Sequence, residues 1–134
     1  MAEKMKRLIK FRGFNKKHGE WLYGSYILNR GRHFVAPDEF AEGKTWDDYE
    51  VEEDTIGQFV DMTDSEGTMI YEGDIVTYAV SYAEGKIKVA GVVFWDFDNL
   101  TWMIGTGVGD FALSNSDYRN ELKIIGNNYE GERV

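Results

Sequence analysis

Short runs of alternating side chains, each closed by a glycine or an Asp/Asn cluster, recur along this chain and point to β structure throughout. Successive side chains on a strand face opposite ways. Leu8 to Phe14 therefore reads as a strand with Leu8, Lys10, Arg12 and Phe14 on one face and Ile9, Phe11 and Gly13 on the other. Asn15-Lys16-Lys17-His18-Gly19 is a polar turn, and Trp21 to Leu28 resumes the β-rich pattern, so the pair predicts a hairpin. Gly24 inside that run marks a bulge or the close approach of another backbone. Arg32 to Ala36 predicts a short strand ended by Pro37, which lacks the donor that a central ladder needs.

The best-patterned stretch runs from Asp54 to Val76. Thr55 to Met62 has strand character, Asp64-Ser65-Glu66-Gly67 supplies a turn, and Met69-Ile70-Tyr71 leads into a second turn at Glu72-Gly73-Asp74. Ile75 to Tyr82 alternates Ile75, Thr77 and Ala79 against Val76, Tyr78 and Val80. Ala83-Glu84-Gly85-Lys86 turns the chain into a strand from Ile87 to Trp95, and Asp96-Phe97-Asp98-Asn99 turns it again into Leu100 to Ile104. Gly105 to Asp110 reads as a flexible glycine-rich loop, Ser114 to Asn120 as a helical turn, and Leu122 to Gly126 as a closing strand. Between the two β halves, DEFAEGKTWDDYEVEED is acidic and weakly patterned, which predicts a mobile surface loop with at most one helical turn.

At 134 residues the chain suits one domain, because a chain of this size hides roughly two thirds of its unfolded surface in a single core. The expectation is a mostly β fold over residues 1–134: an N-terminal hairpin or sheet over about 5–36, the acidic loop over about 37–54, and a small barrel or sandwich over about 55–130, with few helical turns. The 20 aromatic residues (4 Trp, 8 Tyr and 8 Phe) supply a packed interior.

A net charge of -9 repels phosphate backbones, so no direct nucleic-acid binding is expected. Lys4, Lys6, Arg7, Lys10, Arg12, Lys16 and Lys17 form a local basic excess, read here as solvated strand and turn side chains rather than a phosphate-binding arm. Zero cysteines exclude disulfides and thiolate chemistry. With no signal-like or membrane-spanning apolar run, the chain is expected in the cytoplasm, away from membranes.

Several fragments resemble chemical motifs and fail. Gly43-Lys44-Thr45 ends like a phosphate-cradling loop, but Asp38 stands where its first glycine is needed. Gly105-Thr106-Gly107-Val108-Gly109 has Asp110 in place of the third glycine of a dinucleotide fingerprint. Asp96 and Asp98 could meet a hard cation but read better as turn formers. His18 and His33 lie in separate segments, so a metal or acid-base site would need the fold to unite them. No Gly-x-Ser-x-Gly elbow occurs, which leaves a Ser-His-Asp triad to the fold alone. No catalytic, cofactor-binding or metal-binding residue is assigned, and no cofactor is expected.

The strongest local feature is Tyr71-Glu72-Gly73-Asp74. Gly73 permits a positive backbone angle, and the Asp74 carboxylate can accept nearby backbone amides before the strand begins. The main reading is a turn that sets strand register; the lesser one is an acidic pair, Glu72 and Asp74, at a groove rim. Trp46, in the acidic stretch, is the candidate exposed contact.

Ile9-Lys10-Phe11-Arg12-Gly13 with Gly19-Glu20-Trp21-Leu22-Tyr23-Gly24, Thr55-Ile56-Gly57-Gln58-Phe59 with Ile70-Tyr71-Glu72-Gly73-Asp74-Ile75-Val76, and Ile125-Gly126-Asn127-Asn128-Tyr129-Glu130 form three ordered blocks. Together they resemble the YopX family of phage and prophage proteins. Val60-Asp61-Met62 departs from a Thr-Gly-Leu common in relatives, and Gly131-Glu132-Arg133 from an Asn-Pro-Glu-Leu-like tail. The resemblance implies a mostly β protein with an SH3-like barrel portion and a mobile-element origin, and no established activity, cofactor or catalytic residue. The function expected is a non-enzymatic accessory β module that binds a host or phage protein, with a homo-oligomer as a further candidate assembly. Two alternatives stand beside it: an acidic mimic of nucleic acid acting on a host protein, and a metal-dependent enzyme using Glu72, Asp74, Asp96 or Asp98.

Overall fold

The computed structural model describes residues 6–113 and 121–132 and is mostly β, with two antiparallel sheets and two short 3-10 turns. The chain divides into two compact units, residues 1–61 and 62–134. The helical turn expected at Ser114 to Asn120 lies outside the described residues.

In the first unit, β1 (Phe11–Asn15) and β2 (Glu20–Asn29) form the expected hairpin, and β3 (Arg32–Ala36) pairs back on β2. The far side of β1 is taken by β4 (Gly57–Thr63), which pairs Gln58 with Phe11 and Gly57 with Arg12. The strand that the sequence places at the head of the barrel part is therefore a partner of β1, and these four strands lie in the order β3-β2-β1-β4. Within β4, Asp61 takes a left-handed φ of 67°. Glycine adopts this backbone freely, whereas a residue with a Cβ does so at a cost. Here the Asp61 carboxylate is held by Arg7, whose Nε donates at 2.9 Å.

The acidic stretch departs from its expectation. It is packed against the sheet through 3-10 turns at Trp46–Tyr49 and Glu53–Thr55, with Tyr49 and Val51 buried. Val51 N donates to His33 O at 2.9 Å and Glu52 N to Phe14 O at 3.0 Å, so the segment continues the ladders at two strand ends. Val51 sits over Gly13, where an added Cβ would lie 2.8 Å from its side chain. Phe34, Phe40, Trp46 and Tyr49 stack edge-on or tilted with centroids 4.6 to 5.3 Å apart. Too few apolar residues are involved, in turns too short for a helical period, to show as a pattern in the sequence.

In the second unit, β5 (Met69–Tyr71) precedes β6 (Asp74–Tyr82), β7 (Gly85–Asp96), β8 (Thr101–Thr106), β9 (Gly109–Ala112), β10 (Lys123–Asn127) and β11 (Gly131–Glu132). The six-stranded sheet runs β11-β10-β6-β7-β8-β9. Among the described residues it is open: the barrel does not close, because β9 and the two-residue β11 each pair on one side only. Of the two faces expected for β6, the one with Val76 and Tyr78 is buried, alongside Val93, Ile104, Leu113 and Leu122. The Gly105 to Asp110 stretch, expected as a loop, is a tight hairpin in which Thr106 Oγ1 donates to Gly109 O at 2.6 Å. No helix of the described residues is long and apolar enough to cross a membrane.

Gly24 is the close-approach glycine anticipated in β2, since a Cβ there would lie 2.1 Å from Ala36 O. Gly24→Ala is expected to lower stability by about 1–3 kcal/mol in urea unfolding through forced backbone displacement. Gly107→Ala, with nothing within 4 Å of its added Cβ, should stay within about 0.5 kcal/mol.

Candidate functional site

The Tyr71-Glu72-Gly73-Asp74 turn is built inward. Asp74 is 2% exposed and its Oδ2 accepts Tyr71 N at 2.8 Å, closing the turn with a side chain. Gly73 has a φ of 91°, the positive angle anticipated for it. Its N–H donates to Val93 O at 2.8 Å and its carbonyl accepts Asn128 N at 2.7 Å. Asp74 lies opposite Asn127 in the β6–β10 ladder. Asn127, itself buried, accepts Tyr129 N and Glu130 N on Oδ1 at 3.0 and 2.8 Å. The YEGDIV and GNNYE segments thus form one interlocked turn, with Tyr71 buried and Glu72 half-buried. Gly73→Val is expected to cost about 1–3 kcal/mol, from a β-branched residue forced to positive φ, and would be measured as a shift in the denaturation midpoint; an unchanged midpoint would contradict this role.

Trp46 is 47% exposed but leans on Phe34 and Phe40, so its outer edge alone is free for contact. Asp96 is a turn former: Oδ1 accepts Asp98 N at 2.9 Å and Oδ2 accepts the Asn99 amide at 2.8 Å. Those bonds, the Asn99 side chain first, hold its carboxyl below the usual aspartate range. Gly43-Lys44-Thr45 leads into a 3-10 turn in which Thr45 N donates to Asp48 Oδ2 at 3.0 Å, a capping role rather than a phosphate loop.

The turn between Asp96 and Thr101 carries a feature absent from the sequence pattern. Phe97 and Leu100 are 82% and 71% exposed, although both are large and apolar. Leu100 adopts a φ of 54°. Beneath them Trp95 pairs across the hairpin with Trp102, centroids 5.0 Å apart. Apolar residues beside strands normally continue them, so their exposure leaves no mark in the sequence pattern.

The first unit concentrates charge around a cavity of about 590 Å³ lined in part by Lys16, Lys17, Arg32, His33, Glu50 and Glu52. Asn15, fully buried at 1%, is its unforeseen anchor. Its Nδ2 donates to Asp48 O and Glu50 O, and its Oδ1 accepts His18 N. The basic start is only partly solvated, against expectation. Arg12 is buried with its guanidinium 5.0 Å from the Trp21 ring, because a long cationic stem covers apolar surface while its head meets a π face. Lys17 and His18 meet Asp48 Oδ1 at 3.0 and 2.7 Å. Arg32 spans Asp47 and Glu50, which raises the guanidinium further and lowers Glu50. His18 is turned to Asp48, and His33 to Tyr26 and Glu53. Among the described residues no group of three or more His, Asp or Glu side chains is placed to hold a metal ion.

Asp48 is held well below the usual aspartate range, first by the Thr45 amide and then by His18 and Lys17. A depressed folded-state value means that the unfolded chain takes up the proton first as pH falls. The Asp48 contribution is therefore complete above about pH 4 and is lost as pH drops further. Comparing urea midpoints of the unmodified chain and Asp48→Asn from pH 7 to pH 2 should show the variant weaker at neutral pH and the gap narrowing below about pH 4.

The family model described as YopX protein matches residues 10–133, so the chain belongs to the YopX family. No curated protein matches it.

Proposed function

We propose that this YopX-family chain is a non-enzymatic phage or prophage accessory protein, acting in the bacterial cytoplasm by binding a host or phage protein. The observation that carries this reading is the Phe97 and Leu100 tip of the β7–β8 hairpin. Its two apolar side chains stand in water at 82% and 71% exposure, and a rigid support lies below them in the Asp96 turn bonds and the Trp95–Trp102 pair. Displaying apolar side chains on a fixed turn costs stability and prepares an anchor for a pocket on a partner. Asp96 and Asp98 flank the tip, so the partner pocket that suits it is apolar with a basic rim.

Two of the four carboxylates considered for an enzyme have other employment in this fold, since Asp74 closes a buried turn and Asp96 an exposed one. The acidic segment likewise spends Asp47, Asp48 and Glu50 on Arg32, Lys17 and His18, which weakens the field that a nucleic-acid mimic needs.

Affinity capture from bacterial lysate, with and without phage expression, compares the unmodified chain with the double variant Phe97→Asp, Leu100→Asp. The expected result is a protein retained by the first and lost, at least tenfold, by the second, with unchanged unfolding curves. Equal recovery by both would remove the tip from the proposal.

A further inference from the structure

The geometry points to the cavity of the first unit as a binding site for a zwitterion of amino-acid to dipeptide size, independent of the hairpin tip. Its volume of about 590 Å³ falls within the span of small-ligand pockets, roughly 300–1,000 Å³. Its wall divides by charge. The turn after β1 contributes Lys16 and Lys17, and the start of β3 contributes Arg32; the acidic segment contributes Asp47, Glu50, Glu52 and Glu53.

These charges are unequally engaged. Arg32 is committed to Asp47 at 2.6 Å and Glu50 at 2.9 Å, and Lys17 to Asp48 at 3.0 Å. Lys16 Nζ, in contrast, stands 3.8 Å from Glu52, beyond hydrogen-bond length, with its side chain largely in water. Glu53 is 3.6 Å from His33 Nε2 and its side chain is 80% exposed. The Tyr26 hydroxyl occupies His33 Nδ1 at 2.7 Å, which leaves Nε2 as the ring nitrogen turned to Glu53. The close pairs hold the segment in place. The loose ones leave a cation and two carboxylates with bonding capacity to spare.

A ligand bearing only negative charge would gain Lys16 and meet Glu52 and Glu53. One bearing only positive charge would gain those carboxylates and meet Lys16. A molecule with both charges avoids either conflict: its carboxylate accepts from Lys16 Nζ, and its ammonium donates to Glu52 and Glu53. Val51, also in the lining, offers an apolar contact for the atoms between.

The test is an amide-resolved NMR titration of the whole chain at pH 7 with L-alanyl-L-alanine, its N-acetyl form and its C-terminal amide. Expected are saturable shifts centred on residues 16, 17, 52 and 53 with the dipeptide, and at least tenfold weaker binding of each blocked form. Lys16→Ala and Glu52→Ala, both at solvated positions, should each weaken dipeptide binding at least fivefold while the remaining spectrum stays in place. Absence of saturable shifts overturns the proposal. So does equal binding of either blocked form, or undiminished binding by both variants.

Discussion

Backbone amides at the ends and turns of strands have no ladder partner, and burying them unsatisfied costs roughly 1–3 kcal/mol each. In this chain the remedy is a buried polar side chain. Asn15, Asp64, Asp74 and Asn127 are all buried, and each accepts backbone N–H groups. Asp64 shows how far one carboxylate reaches. Its Oδ1 accepts Glu66 N and Thr68 N, and its Oδ2 accepts Ile124 N at 3.2 Å, joining a local turn to β10. Removing such a group loses its bonds and also strands the amides that it served.

That arrangement explains what the sequence could show. The strand over Ile75 to Tyr82 and the glycine in Glu72-Gly73-Asp74 rest on local properties, and both have the predicted backbone geometry. The role of Asn15 is not local: its partners lie at Asp48 and Glu50, far along the chain, and Asn in a polar turn is ordinary. The burial of Arg12 was hidden for a related reason, since it depends on Trp21 coming across the hairpin. The acidic stretch was misjudged because its apolar residues, Tyr49 and Val51, are single side chains that dock into places prepared elsewhere. For the candidate site, the turn function of Asp96 was readable from composition. The exposure of Phe97 and Leu100 was not, because apolar residues between two strands normally signal a strand.

Charge follows the same division. The net charge of -9 suggests a uniformly acidic surface. In the first unit, though, Lys16, Lys17 and Arg32 all face carboxylates of the acidic segment. The repulsion implied by composition is thus partly converted into attachment of a segment whose apolar content alone would hold it weakly. Exposed ion pairs of this kind contribute little singly, about 0–1 kcal/mol, so the buried Tyr49 and Val51 carry most of the attachment and the charges fix its register.

Both units also leave one flank of a central strand to be filled by a late arrival. β1 first meets β2 through a short turn, and β6 meets β7 likewise, but β4 and β10 return to β1 and β6 only after long excursions. Local hairpins carry a small loop-closure cost and distant pairings a larger one, so the two closures are the costlier pairings of each unit. Thr55 fastens the first closure, its Oγ1 accepting Phe14 N at 2.8 Å, and Asn127, opposite Asp74, fastens the second. The residues that look like family signatures are therefore clasps, set where the chain has to find itself again across a long loop.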